Sequence, residues 1–255
     1  MRLSELDSRT LAYLDRIGYQ GSLTPSAEVL RSLHRAHMYT VPFENLDIGL
    51  GREIVCDEAS FLHKIVNERR GGFCYELNGA FAALLRALGF QVTLLSARVP
   101  LADGSGGPEF DHLALRVDLD VPWLADVGFG DSFVEPLRLE PGMEQEQFGR
   151  VYRLSPVESG LRLDLQAERK WKEEYLFKLT PRRLAEFAPM CRYHQTSPDS
   201  PFTRKRVCSR ATPEGRITLS NGKLIETRNG VRVERALEDE EWRARLRDIF
   251  GVVLP

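Results

Sequence analysis

Apolar residues in the N-terminal third of the chain recur at helical spacing. Leu3, Leu6, Leu11, Leu14 and Ile17 form one stripe that stops at Gly18. A second amphipathic helix is predicted from about Ser26 to Tyr39, with Val29, Leu30 and Leu33 facing inward. "TVPFENLDIGL", residues 40–50, contains a proline and reads as an extended link. A third helix is predicted from Asp57, whose carboxylate suits the N-cap, to about Arg69. The fourth begins around Cys74 and carries Leu77, Phe81, Leu84, Leu85 and Leu88, with Gly89 at its C-terminal cap.

The pattern then changes to strands. "QVTLLSARV" is a strand, and "PLADGSGGPE" a loop. "FDHLALRVDL" alternates, with Leu113, Leu115, Val117 and Leu119 on one face, and "VPWLADVGFG" follows as another strand. Further strands are predicted near 133–139, 150–155, 160–166 and 170–178, which makes the middle an antiparallel sheet or small barrel. "PRRLAEFAPMCRYHQ" is a short helix and "TSPDSPFT" is irregular. "GRITLSNGKLIETRNGVRVERAL" reads as a three-strand meander with tight turns at Asn221-Gly222 and Asn229-Gly230. A helix from about Glu238 to Phe250 closes the chain. The fold class is therefore α+β, in three successive lobes: helical over 1–90, β over 91–195 and mixed over 196–255.

A length of 255 residues permits one large core or a few packed lobes. With 42% hydrophobic and 28% charged residues, the chain reads as an ordinary globular protein. A net charge of -2 gives no footing for a nucleic-acid or membrane partner. The start lacks a secretory apolar core and no run approaches a membrane span, so a cytoplasmic location is expected. In that compartment disulfides are disfavoured, and Cys56, Cys74, Cys191 and Cys208 form no C-x-x-C pair. Their separations do not fit zinc ligation either.

Cys74 differs from the other three by position. It stands at a helix start, where unpaired N–H groups and the positive end of the helix dipole favour a thiolate. Gly71 and Gly72 permit a tight turn and leave room for a ligand. A plain Gly-rich turn with a buried cysteine fits the same residues. A nucleophile also needs a base and a group that orients it. His34, His37, His63 and His194 read as structural. His112 has a partner: if the hairpin turn centres on Leu119, residues whose numbers add to 238 pair, and His112 faces Asp126. Directly opposed Cβ atoms lie about 4.5–5.5 Å apart, within reach of a carboxylate–imidazole hydrogen bond. Cys74, His112 and Asp126 are thus the candidate nucleophile, base and orienter.

At this point the chain resembles the arylamine N-acetyltransferase family. The matching stretches are "VPFENLDI", "RRGGFCYELN", "DHLALRV", "WLADVGFG" and "TSPDSPFTRKRVCS", in family order over most of the chain. The resemblance implies a helical bundle, a β-barrel-like middle and an α/β lid, with a papain-like Cys-His-Asp arrangement at Cys74, His112 and Asp126. It implies acetyl transfer from acetyl-CoA, as co-substrate, to the nitrogen of an arylamine, arylhydrazine or N-hydroxyarylamine. The route is ping-pong through an acetyl-cysteine, with no metal or prosthetic group. Phe43, Phe129 and Phe202 line the cleft by resemblance, with Val99 beside them. The role implied is xenobiotic metabolism, as a monomer or homodimer.

The basic run Arg204-Lys205-Arg206 suits CoA phosphates, although a solvated loop is the stronger reading. Arg70 and Glu44 read as a structural ion pair near the site. Two other enzymes share this logic: a macrolactam-type amide synthase of the same fold, and a papain-like or transglutaminase-like thiol hydrolase.

Overall fold

Side-chain caps set the first helices. Asp7 Oδ1 accepts from the Thr10 N–H at 2.7 Å and Ser26 Oγ from the Val29 N–H at 3.2 Å, starting α1 (Ser8–Arg16) and α2 (Ala27–Thr40). The computed structural model describes residues 6–101, 104–167 and 169–254. Leu3 lies outside the described residues, while Leu14 and Ile17 are buried. The predicted extended link holds a two-residue strand, β1 (Phe43–Glu44), and a single helical turn, α3 (Leu46–Gly49). Asp57 caps α4 (Glu58–Leu62) by accepting from the Ser60 N–H at 2.8 Å. The chain then widens into a π-turn over His63–Asn67. The helix cannot reach Arg69 as expected, because Arg69 takes a φ of 52°. The fourth helix, α5 (Cys74–Ala87), is buried over most of its surface.

Eight antiparallel strands build the middle: β2 (Gln91–Arg98), β3 (His112–Asp118), β4 (Pro122–Ala125), β5 (Leu137–Arg138), β6 (Glu144–Gln147), β7 (Arg150–Val157), β8 (Gly160–Ala167) and β9 (Lys170–Phe177). Their order is β5-β4-β3-β2-β9-β8-β7-β6, a nearly closed barrel. Alternation gives β2–β4 two apolar faces. Leu95, Ala114 and Leu124 enter the barrel interior with Tyr152, Leu163 and Tyr175. Leu94, Leu113, Leu115 and Val117 pack the other way, onto the helices. α5 is therefore pressed directly against β3.

The barrel's ends meet through side chains. Gln147 Oε1 accepts from the Glu135 N–H at 2.9 Å and its Nε2 donates to Glu135 O at 2.7 Å. Gln145 does the same at Arg138, at 2.8 and 3.0 Å. Two amide side chains on β6 thus act as peptide groups for the chain entering and leaving β5. This is why the strand expected over 133–139 shrinks to two residues, and why β6, polar throughout, gave no apolar signal. Gln147→Ala leaves both Glu135 backbone groups without these partners and is expected to lower stability by roughly 1–3 kcal/mol in urea unfolding. An unchanged midpoint would show that the seam bears no load.

The last part holds α6 (Ala188–Thr196), α7 (Pro201–Arg204), β10 (Val207–Thr212), β11 (Gly215–Ser220), β12 (Lys223–Arg228), β13 (Val231–Ala236) and α8 (Asp239–Phe250). Both Asn-Gly turns have positive φ at both residues, the geometry that makes two-residue hairpins fit twisted strands. The meander has one strand more than expected. β10 reads Val-Cys-Ser-Arg-Ala-Thr, with Val207 and Cys208 adjacent and Ser209 next to Arg210, so its apolar residues do not alternate. β1 pairs with β10, Phe43 opposite Ser209, so a segment next to the helices completes the C-terminal sheet. Trp242 of α8 is buried with Leu219 and Leu224 beneath that sheet. No helix among the described residues is long and apolar enough to cross a membrane.

Candidate active site

Cys74 is the first residue of α5 and is buried. The first turn of that helix holds both β segments that matter. Tyr75 OH donates to Phe110 O at 2.8 Å and Asp111 O at 3.2 Å, immediately before His112. Asn78 Nδ2 donates to Leu113 O at 2.6 Å and to Asp126 Oδ1 at 2.8 Å. Asn78 Oδ1 accepts from the Val127 N–H at 2.9 Å. Burial pushes the Cys74 thiol well above its ordinary range. The nearby backbone N–H groups of Leu113 and Tyr75 pull it down, and Asp111 and Asp126 push it further up.

His112 and Asp126 are in direct contact, Nε2 to Oδ2 at 2.7 Å, and both are buried. The register behind that contact is not the expected one. Asp118 pairs with Pro122 and Leu115 with Ala125, so the turn centres on Asp120 and the position opposite Asp126 is Ala114. Asp126 lies just past the end of β4, on the same face as His112 and diagonal to it. Leaving the strand lets the carboxylate reach along the ladder. Burial alone would push Asp126 up, but His112, Asn78 and the Gly128 N–H hold it below the usual carboxylate range. A carboxylate here takes the Nε2–H of His112 and leaves Nδ1 as the basic nitrogen.

The loop after Asp126 sits on the backbone of Cys74. A Cβ at Gly128 would lie 2.8 Å from Cys74 Cα and 2.9 Å from Cys74 O. Only glycine allows this approach. The other two glycines carry a different meaning from the one expected. A Cβ at Gly71 would lie 1.9 Å from Pro42 O, and one at Gly72 would meet the Glu76 side chain at 2.6 Å. They let the turn pack on the strand at Phe43, which bridges to Gly72, and do not provide clearance for a ligand.

The four predicted lining residues fall into two groups, all partly exposed. Phe43 and Phe202 face each other at 6.2 Å between ring centroids. Phe129 lies 5.2 Å from the His112 ring and 5.0 Å from Tyr175, and Val99 packs on the same barrel cluster as Phe129. The groups meet at Gly130, whose Cβ position is 3.9 Å from the Phe43 ring.

Comparison with known proteins decides the family. A family model described as N-acetyltransferase matches residues 26–255. The arylamine N-acetyltransferase / N-hydroxyarylamine O-acetyltransferase of Salmonella typhimurium is 37% identical over 227 residues, 88% of this chain and 81% of that protein. Arylamine N-acetyltransferase 1 of Homo sapiens is 33% identical, covering 95% of this chain and 93% of its own.

The chain belongs to the arylamine N-acetyltransferase family.

Solved structures agree. The Salmonella typhimurium arylamine N-acetyltransferase superposes with a TM-score of 0.91 at 35% identity, over 97% of this chain and 92% of that one. The Mycobacterium marinum arylamine N-acetyltransferase in complex with CoA gives 0.89 at 32% identity, over 95% and 92%. The α+β fold with a barrel-like middle is the fold of this family.

Within this arylamine N-acetyltransferase fold, several residues at the site lie outside the predicted set. Tyr75 and Asn78 were readable: they stand next to Cys74 and one helical turn beyond it, on the face that meets β3. His34 was not, being 92 residues from Asp126. Its Nδ1 donates to Val134 O at 2.7 Å and its Nε2 accepts from the Asp126 N–H at 3.1 Å. Burial lowers it to about 4, in keeping with a neutral ring. Tyr175 is also remote in sequence and packs its ring on His112 at 5.2 Å.

The Arg70–Glu44 pair forms at 2.7 Å and extends into a buried network. Arg70 also meets Asp47 at 3.1 Å, and Lys64 meets Asp47 at 2.7 Å and Glu76 at 2.8 Å. Burial pushes Glu76 up to about 7, against Lys64 and the Phe73 N–H, to which it bonds at 3.0 Å. The network fixes the turn that presents Cys74. Arg204 and Arg206 are engaged elsewhere. Arg204 folds back on Pro198 and Asp199, and Arg206 pairs with Asp239 and stacks over Trp242 at 4.2 Å. Among the described residues no group of three or more His, Cys, Asp or Glu is arranged to hold a metal ion.

Proposed function

We propose that Cys74 is the nucleophile, His112 its base and Asp126 the residue that orients His112, and that the acetyl group crosses between substrates on the Cys74 sulfur. As an arylamine N-acetyltransferase the protein moves an acetyl group from acetyl-CoA to an aromatic amine. The observation that carries the residue assignment is the 2.7 Å His112–Asp126 contact, clamped to the first turn of α5 through Asn78.

Burial disfavours a lone thiolate at Cys74, so the proton must go to a partner whose positive charge offsets the sulfur's. His112 takes it at Nδ1, and Asp126 stabilises the imidazolium through Nε2–H. The sulfur then adds to the acetyl carbonyl, and His112 returns the proton to the leaving CoA sulfur. In the second half the amine attacks the acetyl-cysteine, His112 takes a proton from it and Cys74 leaves as the thiol. As the first helical residue, Cys74 has an N–H without an intrahelical partner, and we assign it as one donor to the oxyanion. Phe43, Phe202, Phe129 and Val99 form the walls that receive an aryl ring. We place the enzyme in the cytoplasm, as a monomer or homodimer.

For the donor's phosphates we propose a place other than the run at 204–206. A cavity of about 650 Å³ opens where Asp131 follows Gly130, between the barrel and the C-terminal sheet. Arg150 and Arg216 line it, both bonded to Asp131 Oδ1 at 2.7 and 3.2 Å. Ser132 Oγ and Tyr152 OH are buried on its lining without a partner. These donors fit a phosphate-bearing ligand of that size. Arg150→Gln is expected to raise the KM for acetyl-CoA about 10-fold, with kcat and the acceptor KM little changed. An unchanged KM would remove the phosphates from this cavity. The two-step route is tested by initial rates with both substrates varied, for which parallel double-reciprocal lines are expected. Intersecting lines would require both substrates to bind before transfer.

A further inference from the structure

Cys56 and Cys191 stand far apart in sequence but side by side in the fold. Cys56 is half-buried in the segment leading into Asp57, and Cys191 is buried on α6. Their thiols are near enough for each to shift the other's proton affinity. The backbones around them are stitched together. Cys191 Sγ lies 4.0 Å from Ile54 O, and Cys56 Sγ 3.9 Å from Leu184 O. Gln195 Oε1 accepts from the Ile54 N–H at 2.7 Å, and its Nε2 donates to Ile54 O at 3.0 Å and to Cys191 Sγ at 3.3 Å. These bonds hold the two cysteine-bearing segments against each other, and a disulfide needs partners whose backbones do not have to move far.

We propose that Cys56 and Cys191 form a second oxidation site, a dithiol that reduces a hydroperoxide and closes to an intramolecular disulfide. The roles differ by environment. Cys56 is partly exposed, so solvent and an oxidant can reach it, whereas Cys191 is buried. The neighbouring Cys56 thiol and burial push the Cys191 thiol up. Cys56 therefore attacks first. Its thiolate sulfur bonds to one peroxide oxygen, the O–O bond breaks, and the alkoxide leaves and takes a proton as the alcohol. The Cys191 sulfur then attacks the Cys56 sulfenic acid. The S–S bond forms, and hydroxide leaves with the Cys191 proton as water. Two thiols are oxidised and one hydroperoxide is reduced to alcohol and water. The bridge ties segment 54–56 to α6, whose His194 meets Phe202 edge-on at 5.1 Å. Disulfides of this kind in a reducing cell are transient and sense oxidants.

The test uses the whole protein with tert-butyl hydroperoxide, followed by alkylation under denaturing conditions and non-reducing peptide mapping. The expected result is a Cys56–Cys191 cross-linked peptide, lost on treatment with dithiothreitol and absent from Cys56→Ser, with Cys208 recovered as a free thiol. Recovery of both Cys56 and Cys191 as free thiols or as sulfinic acids while Cys74 is oxidised would overturn the proposal. So would a cross-link from either of them to Cys74. The readout is thiol mass, so the result stands whatever acetyl transfer shows.

Discussion

Cys74→Ser is expected to abolish acetyl transfer, lowering kcat/KM by about 10⁴-fold or more, and to leave the fold in place. The substitution exchanges sulfur for oxygen at a buried helix start. The contacts that hold the site run through other atoms. Gly128 packs on the Cys74 backbone, and Tyr75 and Asn78 make the clamps to β3 and Asp126. Urea unfolding is therefore expected to change by less than about 1 kcal/mol. Chemistry changes much more. A buried alcohol gives up its proton far less readily than a thiol, and an acetyl ester matches a thioester poorly in energy. Steady-state kinetics beside an unfolding curve separates the two effects. Full activity in Cys74→Ser would remove this residue from the mechanism.

Asp126→Asn is the second large effect, also about 10⁴-fold in kcat, for a different reason. Asn Oδ1 can keep the bonds now made to Asn78 and Gly128, so the loop stays. Its amide then turns N–H toward His112 Nε2. The ring must accept there, its proton moves to Nδ1, and the base is lost. A pH profile distinguishes this from mere loosening. In the wild type the proposed imidazolium of His112 compensates the Cys74 charge, so alkylation by iodoacetamide is expected to stay fast well below pH 8. In Asp126→Asn the burial that pushes Cys74 up is no longer offset. Alkylation is then expected to fall away at neutral pH and recover only above the ordinary thiol value of about 8.5. The same alkylation profile in both proteins would refute the orienting role.

Much of this site was legible in the chain because its parts are local. The helix start at Cys74, the strand at His112 and the loop at Asp126 each carry their own sequence signal. The even spacing that puts His112 and Asp126 on one face survives a shift of the turn from Leu119 to Asp120. That shift was not legible, because the turn residues Leu119 to Val121 carry no glycine or asparagine to fix it. Three other features depend on contacts between distant segments, and periodicity says nothing about those. His34 reaches Asp126 only after α2 packs beside the barrel. Gln145 and Gln147 reveal their role only when β6 comes round to β5. Cys56 and Cys191, which no sequence spacing joins, become a pair only when α6 folds over the segment before α4. Gly71 and Gly72 are the converse case. Their need for small size was plain, but the neighbour that demands it, the Pro42 carbonyl and the Glu76 side chain, lies outside the turn.

The central claim, that the acetyl group rests on Cys74, has a direct measurement. The protein is mixed with acetyl-CoA without an acceptor, then analysed by intact mass and peptide mapping. The predicted result is a single acetyl group on the Cys74 peptide, removed when an aromatic amine is added. No adduct, an adduct on another residue, or one that persists in the presence of the amine would contradict it.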